Sequence, residues 1–398
     1  MSTQNPTPSD LIRVLIVDDT STYRMILSNV VKQFPKVTLE GTTANGSMAI
    51  EFIKETPVDL ILLDVEMPVM NGMETLNHLL SIHPDLFVVM ISSPNPSTAD
   101  LTIAALNRGA KDFIVKPDEV SAEKNMKLLQ ERLNTVITSI SYQKNKRKLA
   151  ALSTQNSAVL TQALPKLLPK VPIENKTTPL ITPAQRDVSV RTKSRTSLKR
   201  QFKALAIGVS TGGPNALSEM LPELPGDLGV PIFIVQHMPA VFTASLAKSL
   251  NQKCRLTVKE AEHGETVEIN TVYIAPGNFH MVAEKKSQAV QISLNQDIAE
   301  NSCRPSVDVL FRSLVPIYHE NILSLIMTGM GSDGALGVKA IKEANGYCIT
   351  QSAESCVVYG MPKQIDDWGL SDQSVSLNEM ARTLSAHILE TTHSLGGG

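Results

Sequence analysis

Apolar and polar positions divide the chain into three stretches with different rhythms. Over residues 11–125, short β-rich runs (Arg13 to Val17, Leu60 to Leu63, Phe87 to Ile91, Asp112 to Val115) alternate with longer segments of helical spacing. Such alternation predicts βα units and a parallel sheet, hence one α/β domain. From about 121 to 148 helical spacing continues through Leu128, Leu129, Leu133, Val136, Ile137 and Ile140, and it ends in the basic residues Lys144, Lys146, Arg147 and Lys148. Ser, Thr, Pro, Gln and Lys then dominate up to Gln201. Residues 126–201 therefore read as a helix extension and, from 149, a flexible linker. A coil of that length spans about 40 Å root-mean-square, enough to let the first domain leave the second unless an interface holds it. From Phe202 to about 392 apolar runs return, separated by Gly and Pro turns, as expected of a second α/β domain with a mainly parallel sheet.

Composition narrows the classes without naming one. The 398 residues, 42% hydrophobic and 19% charged, suit two soluble domains and a connector. A net charge of -2 exerts no global pull toward nucleic acid or anionic lipid. The N-terminal stretch has no apolar h-region, and no run approaches the roughly 20 apolar residues that cross a bilayer, so no membrane insertion and a cytoplasmic location are expected. The four cysteines, Cys254, Cys303, Cys348 and Cys356, form no CxxC pair and read as reduced, mostly packed thiols.

In the first domain the chemistry is acidic. Asp18 and Asp19 follow the first predicted strand, and Asp64 follows the LILL run. Strand ends in a parallel sheet lie side by side, so three carboxylates converge; they repel unless a cation joins them, and an all-oxygen donor set favours Mg²⁺. Ser92 follows FVVMIS and Lys116 precedes Pro117, two further strand ends. A hydroxyl and an ammonium beside a metal-bound Asp make a phosphoryl acceptor site. Taken in order, DD, LLDxxMPxxNG, S and KP resemble the receiver domain of bacterial two-component response regulators over about residues 11–125. The resemblance implies a flavodoxin-like, doubly wound sheet of five parallel strands, one more than the apolar runs count. It implies phosphorylation at Asp64, with Asp18, Asp19 and the Glu66 backbone carbonyl on the metal side. Ser92 and Lys116 become the pair that responds to phosphate, and Phe113 the aromatic that repacks.

The second domain carries a nucleophile, a base and an acid, each just after an apolar run: Ser210 in ALAIGVSTGGP, His237 in PIFIVQHMP, Asp333 in LIMTGMGSDG. Ligand chemistry in parallel sheets gathers beyond strand C-termini, so the three land on one rim. Gly208-Val-Ser210-Thr-Gly212 fits the G-x-S-x-G elbow pattern, although the order Ser, His, Asp is not that of α/β-hydrolases. Gly331 and Gly334 free a tight loop that points Asp333 at His237 Nδ1, as in a generic triad. His263 and His280 lack such a position. Backbone N–H groups around Thr211 and Met330 are the natural oxyanion donors.

With STGGP, QHMP, YIAPGNFHM, RPSVDVLF, TGMGSDGA and SCVVYGMP in sequence, residues 204–392 resemble the catalytic domain of the chemotaxis protein-glutamate methylesterases, the CheB family. By that resemblance Ser210 is nucleophile, His237 general base and acid, Asp333 the orienting acid, Thr211 a support for the histidine and Met330 an oxyanion donor. Implied are hydrolysis of glutamyl methyl esters on chemoreceptor signalling helices, deamidation of receptor glutamines, a chemotaxis histidine kinase as phosphodonor, and no cofactor for the hydrolysis. Ser332 stands where members commonly have asparagine, and the linker is longer than usual. Two other outputs compete: a phosphorylation-switched receptor-binding module with little turnover, and a DNA-binding regulator. The second calls for a basic helix-turn-helix segment that residues 202–392 do not offer.

Overall fold

A computed structural model describes residues 11–118, 120–163 and 201–389, with only the helical backbone over 147–163. The first domain runs β1 (Ile12–Val17), α1 (Ser21–Val31), β2 (Val37–Thr43), α2 (Gly46–Glu55), β3 (Leu60–Asp64), α3 (Gly72–Ile82), β4 (Phe87–Ser92), α4 (Pro96–Asn107), β5 (Asp112–Val115) and α5 (Ala122–Ala163). Its five strands lie in the order β2-β1-β3-β4-β5, all parallel. β3 and β4 are buried on both faces and read as continuous apolar runs, whereas β2, absent from the sequence expectation, is a half-exposed edge strand, VTLEGTT, that buries only its last residue. Asn45, Asn71 and Asn95 cap α2, α3 and α4, which fixes where each strand-end loop turns into helix.

The helix after β5 is longer than expected. α5 continues to Ala163, through the stretch read as linker from 149. Leu149, Ala150, Ala151 and Leu152 are strong helix formers, and no Gly or Pro interrupts the chain before Pro165. Residues 143–200 form a unit separate from the rest. The rest of the expected linker, 164–200, and the expected domain end near 392 lie outside the described residues.

The second domain begins with β6 (Ala204–Val209), α6 (Gly213–Met220), β7 (Ile232–Gln236), α7 (Ala240–Asn251), β8 (Thr257–Glu260), β9 (Thr271–Ile274) and the antiparallel hairpin β10 (His280–Lys286) and β11 (Ala289–Asn295). It continues with α8 (Val307–Tyr318), β12 (Ile322–Ile326), α9 (Ala335–Glu343), β13 (Tyr347–Gln351), α10 (Met361–Asp367), β14 (Gln373–Val375) and α11 (Leu377–Leu389). Seven parallel strands take the order β14-β13-β12-β6-β7-β9-β8. One apolar layer packs Leu205, Ile207 and Val209 with Leu217 and Leu246, and the other packs Ala204 and Ala206 with Phe311 and Val338. β6 is the first strand of this domain, and strand order runs outward from it in both directions, so its C-terminal end is the switch point where parallel sheets open a crevice.

The first layer does not stop at the domain border. α4 packs on α6 and α7, and one buried cluster runs from Leu76 and Ile103 of the first domain to Leu217 and Leu246 of the second. Among the described residues no helix is long and apolar enough to cross a membrane.

Candidate active site

Ser210 lies one residue past the fully buried β6. Val209 pairs with Gln236 of β7, so His237 takes the equivalent step on the neighbouring strand, its N–H donating to Val209 O at 3.3 Å. On the other side the Ser210 N–H donates to Thr328 O (3.0 Å), just beyond β12. Gly212, at φ 76°, turns the chain into α6; a β-carbon there would need this left-handed backbone and would meet the Val357 side chain at 2.6 Å. Ser210 itself is not in the left-handed region, so the turn is not the strained elbow that G-x-S-x-G suggests. Gln236 fastens it from below, donating from Nε2 to Ser210 O at 3.0 Å.

Asp333 is the most heavily bonded carboxylate in this rim. It accepts from His237 Nε2 (2.8 Å), Asn301 Nδ2 (2.9 Å), Ser306 Oγ (2.8 Å), and the N–H groups of Val307 (2.7 Å) and Asp308 (3.2 Å). The last two are the first N–H groups of α8, a helix end that favours an anion. Burial alone would push the Asp333 carboxyl up, but His237 and the α8 donors outweigh it and hold it below the carboxylate range. Burial likewise opposes the imidazolium, yet Asp333 and the neighbouring Cys303 prevail and His237 is raised above the ordinary histidine value. The ring is turned opposite to expectation: Nε2, not Nδ1, meets the carboxylate. Nδ1 is left with the Cys303 Sγ at 3.8 Å as its neighbour. A base with a raised pKa must lose its proton before it works, so kcat/KM should climb with pH above 7, and Asp333→Asn should move that limb down toward the ordinary value of about 6.5. A pH–rate profile of both proteins checks this.

Ser210 and His237 line one cleft of about 500 Å³. No hydrogen bond joins Ser210 Oγ to the imidazole among the described residues, which is common before substrate tightens a site. The N–H groups of Thr211 and Met330 donate to nothing among the described residues, so both are free to receive a ligand oxygen. The Thr211 side chain makes no hydrogen bond to His237; its carbonyl accepts from Thr328 Oγ1 at 3.0 Å. Neither other candidate histidine joins the cleft: His280 is buried between Ile298 O and Ser306 N–H, and His263 accepts from Leu294 N–H. Gln236, Asn301 and Ser306 escaped the sequence reading as site residues. Gln236 carried a signal, a polar residue closing an apolar strand beside the candidate base; Asn301 and Ser306 reach Asp333 only through the fold.

The acidic site assembles at the other switch point. Asp18 and Asp64, both buried, and exposed Asp19 bring carboxylate oxygens within 4.8 Å of one another. Lys116 Nζ bridges Asp18 (2.9 Å) and Asp64 (2.8 Å). Burial raises the Asp64 carboxyl above the carboxylate range, against the opposing effect of Lys116. An all-oxygen donor set with two buried carboxylates that one ammonium does not fully compensate fits a hard divalent cation. Ser92 is buried next to this site, its Oγ accepting from Thr102 Oγ1 at 2.8 Å. Glu66 follows on the β3–α3 loop with its side chain exposed.

The two sites are joined by packing. Phe113 of β5 stacks on Phe242 of α7, with ring centroids 4.7 Å apart, and Asp112 to Asp118 wall the cleft that holds Ser210 and His237. Around the stack, Asn107 bonds Ser218, Ser249 and Lys253, Lys248 pairs with Asp100, and Asn215 donates to Ala110 O.

Residues 205–384 match the CheB methylesterase family and residues 14–129 the response regulator receiver domain. A protein-glutamate methylesterase/protein-glutamine glutaminase of Desulfotalea psychrophila is 41% identical over 94% of this chain and 97% of its own. Its counterpart in Treponema pallidum is 36% identical over 94% and 97%. The crystal structure of the Thermotoga maritima CheB methylesterase catalytic domain is 40% identical, covers 46% of this chain and 98% of its own, and aligns with a TM-score of 0.46. With the two protein-glutamate methylesterases matched along nearly their whole length, the chain belongs to the CheB family, a methylesterase domain behind a response regulator receiver domain.

Proposed function

We propose that this protein is a protein-glutamate methylesterase and glutamine deamidase acting on chemoreceptor signalling helices, with Asp64 phosphorylation controlling access to Ser210. In the ester reaction neutral His237 takes the Ser210 proton at Nδ1 while Asp333 holds the Nε2–H. Ser210 Oγ attacks the glutamyl carbonyl, and the oxyanion is received by the N–H groups of Thr211 and Met330. The imidazolium returns its proton to the departing methoxide, methanol leaves, and a water activated by the same nitrogen splits the acyl-serine to glutamate. With a glutamine substrate the leaving group is ammonia. The observation that carries the chemistry is the Asp333–His237 pair beside Ser210 in one cleft.

Control follows from what else walls that cleft. Asp18, Asp19, Asp64 and the Glu66 carbonyl would hold Mg²⁺, which when bound neutralises phosphoryl oxygens. When a phosphoryl group passes from a histidine kinase to Asp64, the P–N bond of the phosphohistidine breaks and a P–O bond to the Asp64 carboxylate forms, so Lys116 exchanges its contact with that carboxylate for one with a phosphoryl oxygen and the Ser92 hydroxyl is drawn in. Phe113 then repacks, and its stack on Phe242 loosens. The expected linker dilution is offset by the apolar layer shared between the domains.

Asn107 is exposed and bonds three residues across the border, so Asn107→Lys, which sets a cation beside Lys253, should raise the unphosphorylated rate several-fold and leave the phosphorylated rate alone. An unchanged unphosphorylated rate would remove docking as the control. The activity itself is tested with purified protein and receptor bearing labelled methyl esters: methanol and a new receptor carboxylate are expected, whereas receptor binding without methanol would make the protein the non-catalytic module.

A further inference from the structure

Cys303 exchanges no proton in the ester chemistry, yet it is aimed at the base. Its Sγ lies 3.8 Å from His237 Nδ1, the nitrogen that Asp333 leaves free. The thiol is delivered by a tight turn in which Glu300 and Cys303 exchange backbone hydrogen bonds at 3.2 and 2.9 Å. Asn301 and Ser302 hold left-handed backbone there (φ 54° and 60°), and the Asn301 side chain anchors the turn to Asp308 and Asp333, both at 2.9 Å. The sulfur position is therefore set by the same network that orients the histidine.

We propose that His237 and Cys303 form a binding site for a borderline-soft divalent cation such as Zn²⁺, and that the cation inhibits the enzyme by occupying the base. Three observations carry it. With Zn–S about 2.3 Å and Zn–N about 2.1 Å, tetrahedral ligands stand roughly 3.6 Å apart, close to the distance between Sγ and Nδ1. The opposite ring nitrogen already meets a carboxylate, the arrangement that orients histidine ligands in metal sites. The Asp333 carboxylate also lies within the 4.8 Å cluster of His237 and Cys303, adding negative charge around the ion. Cation binding releases to solvent the Cys303 proton and, where His237 is an imidazolium, its Nδ1 proton, and forms bonds to Sγ and Nδ1, with water completing the shell. Nδ1 then has no lone pair for the Ser210 proton. Thiolate and imidazole donors discriminate against Mg²⁺, so this site and the Asp18–Asp64 site take different ions.

That the cation inhibits rests on His237 being the base; that it binds does not, and the test separates the two. Full-length protein in excess Mg²⁺ and a phosphine reductant is titrated with Co²⁺. A near-ultraviolet thiolate-to-cobalt band is expected in the wild type and in Cys254→Ser, and at least a ten-fold weaker one in Cys303→Ser and in His237→Ala. Zn²⁺ should inhibit methanol release reversibly on chelation, with at least ten-fold less sensitivity in Cys303→Ser, each protein referred to its own metal-free rate. No band in the wild type, or a band that survives both substitutions, overturns the site. A band without inhibition keeps the site and counts instead against His237 as the base.

Discussion

Replacing Ser210 by alanine abolishes ester hydrolysis, a fall of roughly 10⁶-fold if the serine, histidine and aspartate act as one unit. The fold should be untouched, since Ser210 Oγ makes no hydrogen bond among the described residues and its backbone contacts to Thr328 and Gln236 remain. His237→Ala should be equally severe. Asp333→Asn differs in kind. It retains a remnant, with a loss on the order of 10⁴-fold, because it orients the ring without exchanging protons with substrate. It also costs stability, because an amide can present only one oxygen where Val307 N–H, Asp308 N–H, Ser306 Oγ and Asn301 now donate to two. Rates on methylated receptor, with melting temperatures of the same preparations, separate the three. A Ser210→Ala protein that still turns over would move the nucleophile elsewhere.

Asp64→Asn should reduce labelling by a small-molecule phosphodonor to background and remove any phosphodonor stimulation of the esterase. Asp64 is the acceptor because it alone closes its strand while facing both Asp18 and Lys116. The variant keeps the Lys116–Asp18 contact, so loss of labelling reports the missing acceptor, not a collapsed site. Asp19→Asn keeps the acceptor and should weaken Mg²⁺ binding, with labelling recovered at higher Mg²⁺. Equal labelling of wild type and Asp64→Asn would place the phosphoryl group on another residue.

Strand-end chemistry was legible because a buried parallel strand is a continuous apolar run and the residue after it has a fixed place on the rim. Ser210, His237, Asp64, Ser92 and Lys116 all announce themselves in that way. β2 did not, since an edge strand such as VTLEGTT buries too little to show a period. The length of α5 was hidden by composition: polar helix formers resemble a linker until the absence of Gly and Pro is weighed. The ring orientation of His237 was beyond sequence altogether, because the Asp333 network that meets Nε2 is assembled only by the fold. So was the Phe113–Phe242 stack, because contacts across a domain border leave no periodic signature in either partner.

One wall joins the two sites, and a single measurement reaches the join: the rate of methanol release from methylated receptor by full-length wild type and by Asp64→Asn, each with and without a small-molecule phosphodonor and Mg²⁺. The predicted result is a several-fold rise for the wild type alone, with Asp64→Asn fixed at the unphosphorylated rate. A phosphorylated wild type that is no faster than its unphosphorylated form, or an Asp64→Asn protein that is stimulated equally, would contradict it.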